Sequence, residues 1–294
     1  MAEAIPSQDK SPAEPLDIVP SPFLVLGAIA SVQIGASIAT HLFSRLTPSG
    51  TVFVRVFVGR LILLAVTRPR WSLGPRQHIG MLVFFGLVVA AMNLSFYQAI
   101  ARIPLGICVT IEFLGPLAIA IFGSRRAFDF VWAFLAGAGV ILLTRGGGAI
   151  VPIGVFFAAL AGIGWATYIL VNQRVGRLFP GSGGLAIAMT IGGLALAPVG
   201  IYSGGINLLN PLLLVPALGV SLLSSALPFS LEFAALRRLP SQVFSILMSL
   251  EPACAALAGF FLIGQRLYLQ QIAAILMVMI ASVGATLTRS QRQN

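Results

Sequence analysis

Charge is scarce in this chain. Only 9% of its 294 residues are Asp, Glu, Lys or Arg, against roughly 25% in a soluble domain, which excludes an ordinary water-soluble enzyme and a charge-rich disordered chain. Cysteine is scarcer still. Cys108 and Cys254 both sit inside apolar runs with no CxxC or His spacing beside them, so disulfide, metal and redox readings lack support and both read as small core residues. Histidine stops at two, His41 and His78, far apart in sequence, which leaves a catalytic metal cluster unsupported. No ATP-binding motif is present. Gly146-Gly147-Gly148 and Gly181-Ser182-Gly183-Gly184 neither follow a strand nor carry the lysine of a phosphate loop, and read as flexible connections. What fills the chain instead is apolar: 58% hydrophobic residues and a mean hydropathy of +0.99.

The opening, 1–22, differs from the rest. It holds Glu3, Asp9, Lys10, Glu14, Asp17 and five prolines, lacks the basic start of a signal peptide, and reads as a disordered, retained cytoplasmic tail. About 272 residues follow, and a helical span with its loop takes roughly 25 to 28, so the chain has room for about ten. Apolar stretches broken by Pro, Gly or Arg predict spans at 23–43, 49–67, 79–100, 104–123, 128–145, 151–172, 183–202, 211–235, 240–263 and 267–288. A short tail, 289–294, closes the chain.

The net charge of +10 does not point to nucleic acid, because the arginines punctuate apolar runs and form no solvated basic face. With the N-terminus inside, the inner segments hold twelve basic residues: Lys10, Arg68, Arg70, Arg76, Arg125, Arg126, Arg174, Arg177, Arg237, Arg238, Arg289 and Arg292. The outer loops hold four, Arg45, Arg102, Arg145 and Arg266, and Arg55 and Arg60 lie within the second span. This bias predicts a multi-pass membrane protein with both termini cytoplasmic.

The sequence also repeats itself. Ala101-Arg102-Ile103-Pro104 maps onto Arg237-Arg238-Leu239-Pro240 at an offset of 136, and the same offset carries Leu114-Gly115-Pro116 onto Leu250-Glu251-Pro252. Span 4 thereby pairs with span 9, dividing the chain into units of five spans at 23–145 and 151–288. Five is odd, so the second unit enters the membrane from the opposite side, an inverted repeat of the kind that places a substrate site near the midplane.

An ionisable group at the centre of a span costs roughly 2.5 to 3.5 kcal/mol on insertion scales, so each one retained needs a reason. Glu112 lies four residues before Pro116, whose ring frees the Glu112 carbonyl. It reads as a proton-coupling or ammonium-binding carboxyl, or as a neutral structural Glu at a kink. Glu251 precedes Pro252, the second expected kink, with cavity and packing roles both open. Glu232 lies near Arg237 and Arg238 and reads as their partner, a snorkelling group or a site residue. Arg55 and Arg60 stand about 140° apart around one helix; Arg55 is expected to face a cavity and hold a substrate carboxylate or pair with a Glu, and Arg60 to meet a neighbouring helix. Weaker candidates are the one-face pairs Gln33/Ser37 and Asn93/Tyr97, with Trp165 and Tyr168 in span 6; interhelical hydrogen bonding is their plain alternative.

Several passages together resemble a known group: Ser31-Val32-Gln33-Ile34-Gly35-Ala36-Ser37, Ile103-Pro104-Leu105-Gly106-Ile107, Glu112-Phe113-Leu114-Gly115-Pro116-Leu117-Ala118, Arg125-Arg126 with Asp129-Phe130-Val131-Trp132, Ser224-Ser225-Ala226-Leu227-Pro228-Phe229-Ser230-Leu231-Glu232, and Leu247-Met248-Ser249-Leu250-Glu251-Pro252-Ala253. From about Ser31 to Thr288 the chain is similar to the EamA-type drug/metabolite transporter superfamily, and within it to the inner-membrane exporters of threonine and homoserine. The resemblance implies an all-α polytopic membrane protein of ten transmembrane helices in two inverted five-helix repeats. It also implies a secondary active exporter of small polar amino acids, threonine and homoserine foremost. Because the chain has no ATP-binding motif, the expected driving force is an ion gradient, most simply proton antiport, with alternating access and with no cofactor or metal expected. The expected partners are a small-molecule substrate and the lipid bilayer, with no nucleic acid, in a monomer or homodimer. The same fold exporting an aromatic amino acid, a purine or a cationic drug is the alternative. Two departures stand out: Gln265 follows Gly264 where the family usually has Glu, and Arg60 replaces an uncharged residue.

Overall fold

The computed structural model describes residues 19–67, 79–122, 129–145, 151–178, 183–236 and 238–290. Residues 1–18, Arg68, Arg70, Arg76, His78, Arg125, Arg126, Gly146-Gly147-Gly148 and Arg237 lie outside the described residues. Within them, all regular structure is helical. Seven stretches are long and apolar enough to cross a membrane, and two shorter apolar helices, Leu105–Ile119 and Phe130–Leu143, accompany them.

The first stretch, α1 (Ser21–Thr67), contains a turn. Thr47 takes φ 60°, ψ 163°, and the reason lies in Thr47-Pro48-Ser49-Gly50. Proline suits the first position of a helix, while the Thr47 hydroxyl oxygen accepts from the Gly50 N–H at 3.3 Å, capping a new helix. Gly35 and Gly59, equally far from Thr47 in sequence, lie against the neighbouring residues Ser224 and Ser225. The two arms of α1 therefore fold back on one another.

α2 (Ile79–Ile100), α5 (Asp129–Arg145), α6 (Pro152–Leu178), α7 (Gly183–Gly204) and α12 (Leu269–Ser290) are continuous. Three other stretches are not. The span expected over 104–123 is broken into α3 (Leu105–Glu112) and α4 (Leu114–Phe122), and the one over 240–263 into α10 (Ser241–Met248) and α11 (Glu251–Ile263). Each break lies just after the residue four before a proline, Pro116 or Pro252, where the ring clashes with that residue's carbonyl. The span over 211–235 comprises α8 (Pro211–Ser221), five π-helical residues Leu222–Ala226, and α9 (Leu227–Leu236).

The two broken spans share their backbone at the offset found in sequence. Pro104 (φ −54°, ψ 143°) and Pro240 (φ −55°, ψ 139°) precede helices of eight residues, which end at Phe113 (φ −64°, ψ −17°) and Ser249 (φ −64°, ψ −11°). The preceding turns match as well: Arg102 N–H donates to Ala99 O and Arg238 N–H to Ala235 O, at 2.8 and 3.0 Å.

Helices approach closely through small residues, as packing in lipid favours. A Cβ on Gly106 would meet the Ala256 backbone of α11 at 2.7 Å, and one on Gly115 would collide with the Gly162 carbonyl of α6. α1 packs against α7, α8, α9 and α11, α2 against α6 and α7, and α12 against α5. Large apolar groups also face outward, among them Phe130 (71% exposed) and Phe134 (79%) on α5. A soluble surface rarely carries so much exposed apolar area; a hydrocarbon surrounding accommodates it.

Candidate functional site

A cavity of about 170 Å³ opens where α1, α2, α3, α6, the π-helical segment and α11 meet. Its charged lining consists of Arg55 from the second arm of α1, Glu112 at the end of α3 and Glu251 at the start of α11. Gln33, Asn93 and Ser224 add amide and hydroxyl groups; Val32, Ala36, Met92, Phe96, Val109 and Trp165 supply apolar walls.

Arg55 is held from three sides. Its Nη1 donates to Asn93 Oδ1 at 3.0 Å, its Nη2 to the Ser224 carbonyl at 3.0 Å, and its Cζ stands 5.4 Å from the centroid of the Tyr97 ring. Asn93 is itself oriented, because its Nδ2 donates to Val89 O at 2.8 Å. The Ser224 carbonyl is open for Arg55 because Pro228 stands four residues later and can donate no N–H to it. The π-helical turn Leu222–Ala226 lies at that same point.

Glu112 owes its place to the break after it. A Cβ on Gly162 would fall 2.8 Å from the Glu112 carbonyl, so that the missing side chain lets α6 cover the group that Pro116 frees. Trp165, one turn along α6, meets Phe113 edge-on at 5.5 Å. Glu251 accepts a hydrogen bond at Oε1 from Gln33 Nε2, at 3.1 Å. Arg60 lies elsewhere: its Cζ is 4.0 Å over the Phe57 ring and its stem runs beside Gly193 of α7.

Four lining residues carry a buried side-chain atom without a hydrogen-bond partner: Arg55 Nε, Ser224 Oγ, Gln33 Oε1 and Glu251 Oε2. Such atoms call for an explanation, and a polar ligand supplies one. The cavity is thus polarised, with the Arg55 guanidinium on one wall, its Nε without a hydrogen-bond partner, and two carboxyl groups on others. Among the described residues, no group of three or more His, Cys, Asp or Glu side chains is placed to hold a metal ion.

Of the candidates from sequence, Gln33, Arg55, Asn93, Glu112, Trp165 and Glu251 line this cavity. Tyr97 lies just behind Arg55, between Phe43 and Phe96. Ser37 donates to the Gln33 carbonyl one turn back on its own helix. Tyr168 packs on Phe85 and stands within electrostatic reach of Glu232, both outside the lining. Arg238, one of the partners considered for Glu232, donates to the Val19 carbonyl at 3.5 Å. Sequence reasoning passed over Ser224, although Pro228 marks its carbonyl by the rule applied to Pro116. Apart from Trp165, the apolar lining left no such mark, since cavity-facing and lipid-facing Val, Met and Phe are alike in sequence. Gln265 is placed outside the cavity: its Oε1 accepts from the Leu105 N–H at 2.9 Å, at the N-terminus of α3.

Comparison with known proteins extends the picture. Residues 152–287 match the EamA-like transporter family. Threonine/homoserine exporter RhtA of Salmonella typhimurium (strain SL1344) is 42% identical over 272 residues, 91% of this chain and 92% of its own. The protein of the same name from Escherichia coli (strain K12) is 41% identical over 269 residues, 90% of each chain. An uncharacterized transporter of Archaeoglobus fulgidus is 23% identical over 224 residues, 75% of this chain and 80% of its own. A solved crystal structure with 15% identity aligns with 93% of this chain and 98% of its own at a TM-score of 0.57, a likeness of fold alone.

Proposed function

The chain belongs to the EamA-like transporter family, and on that premise we propose that it exports small polar amino acids, threonine and homoserine foremost, by proton antiport with alternating access. It is a multi-pass membrane protein; the finer arrangement proposed is ten transmembrane helices in two inverted five-helix repeats, with both termini in the cytoplasm of a bacterial inner membrane. The matching backbone around Pro104 and Pro240 supports the repeat. The arms of α1, taken separately, and the broken spans, taken whole, support the count.

The observation that carries the substrate reading is the polarised cavity. Arg55, braced by Asn93 and Ser224, receives the carboxylate through a directed, charge-assisted hydrogen bond. Glu112 and Glu251 form the acidic side that takes the ammonium. The cavity, about 170 Å³, is smaller than the roughly 300 to 1,000 Å³ of pockets for drug-sized ligands, which favours a small amino acid over a cationic drug. Breaks in the spans pairing α3 with α4 and α10 with α11 let the two halves rock about this cavity.

Proteoliposomes carrying the full chain test the reading. Labelled threonine and homoserine should exchange across the membrane and compete with each other, and an inward-directed proton gradient should accelerate export. Transport of phenylalanine, a purine or a quaternary ammonium drug without transport of threonine or homoserine would overturn the assignment in favour of another small solute.

A further inference from the structure

Two of the unpartnered buried atoms belong to one pair of side chains. Gln33 Nε2 donates to Glu251 Oε1 across the contact between α1 and α11, while Gln33 Oε1 and Glu251 Oε2 have no partner. An amide oxygen and a charged carboxylate can only accept, so in the charged state neither oxygen can satisfy the other. A proton on Glu251 Oε2 changes both at once. The new hydroxyl donates, Gln33 Oε1 accepts, and acid and amide are joined by two hydrogen bonds in place of one. Gln33 is 1% exposed and Glu251 9%, so water offers these atoms little relief.

The charged form has its own support. Glu251 opens α11, with Leu250 as the cap, and a negative charge is favoured at the N-terminus of a helix. The same carboxyl group is therefore provided for in both protonation states, by a buried amide in one and by a helix end in the other.

Resting on the export reading above, we propose that the Gln33–Glu251 pair is the proton-binding element of the transporter, and that the proton and the substrate ammonium compete for the same two oxygens. With Oε2 protonated, both oxygens are occupied within the pair and this wall offers the ammonium nothing. When the proton leaves to water, Gln33 Oε1 and Glu251 Oε2 become free acceptors beside the cavity, and an ammonium, with three donors, bridges them. Exclusion of one by the other is the condition for antiport. The proton enters Oε2 from the outer side and departs to the cytoplasm, while the amino acid keeps its own charge and travels the other way.

The titratable and charged groups facing Glu251 are Glu112 from α3, Arg55 from the second arm of α1, Glu232 from α9 and Cys254 on α11 itself. Arg55 is engaged by Asn93 and the Ser224 carbonyl. Of the two acids lining the cavity, Glu251 is the one held by a buried amide.

The test is proton release on substrate binding, read with an indicator dye on full-length purified protein in weak buffer. Saturating threonine should release about one proton per site from the wild type near the pH where the pair titrates. Glu251→Gln should release none, bind threonine about tenfold more weakly and lose the pH dependence of that binding. Glu112→Gln, even with weakened binding, should still release the proton. Infrared difference spectra give a second readout: a protonated-carboxyl band absent in Glu251→Gln and displaced in Gln33→Leu. Proton release that persists in Glu251→Gln and vanishes in Glu112→Gln would overturn the proposal, as would a band unmoved in Gln33→Leu or threonine binding by the wild type without proton release. Failure of the wild type to bind either amino acid would instead overturn the export reading on which the proposal rests.

Discussion

At the residue scale the site is made of few groups, each held by an identifiable neighbour. Arg55 illustrates this: two of its nitrogens brace it against Asn93 and Ser224, and Nε remains free. A lysine cannot reproduce a planar fork that bonds in two directions while presenting a third donor. Arg55→Lys is therefore expected to lower threonine export about tenfold or more, because one charged hydrogen bond contributes about 1.5 to 3 kcal/mol. Initial rates in proteoliposomes measure this, and a variant exporting at the wild-type rate would remove Arg55 from the substrate site. The intramembrane charges were legible in sequence because charge is rare there. Ser224 was legible only through Pro228, and its role depends on a carbonyl, which every residue possesses.

Helix ends and breaks set the next scale. α11 ends where Gly264 adopts φ 73° and the Gln265 N–H donates back to Gly259 O at 3.0 Å, a left-handed cap for which glycine is suited. That cap aims the Gln265 side chain at the first N–H of α3. An amide oxygen and a carboxylate are both acceptors there, so a Glu at this position would keep the hydrogen bond. Gln265→Glu should retain wild-type thermal stability in detergent, whereas Gln265→Leu should lose about 1 kcal/mol, the lower range for an unmet polar group at a half-buried site. Equal melting of wild type and Gln265→Leu would show that this contact does not hold α3 and α11 together. The sequence identified Pro116 and Pro252; the structure puts the interruptions at Phe113 and at Ser249-Leu250, three or so residues earlier, because the clash falls on the preceding turn.

At the scale of the whole molecule, orientation rests on arginines counted in sequence, many of which lie outside the described residues. The proposed arrangement makes a direct prediction: green fluorescent protein fused after Asn294 should fluoresce, and alkaline phosphatase fused at the same point should be inactive, since both report a cytoplasmic C-terminus. The reverse result would discard the ten-span topology. The sequence alone determined that the chain is a helical membrane protein, because apolar length and scarce charge are properties of composition and spacing. It also located Pro104 and Pro240, which stand at a common offset with Pro116 and Pro252 and give the same local backbone in both places. Which polar residues share a cavity was decided only by tertiary packing. Gln33 and Glu251 are 218 positions apart, and no local pattern says that an amide in one half will meet an acid in the other. That meeting depends on α1 and α11 lying side by side, and on Ser224, Arg55 and Asn93 closing the remaining walls.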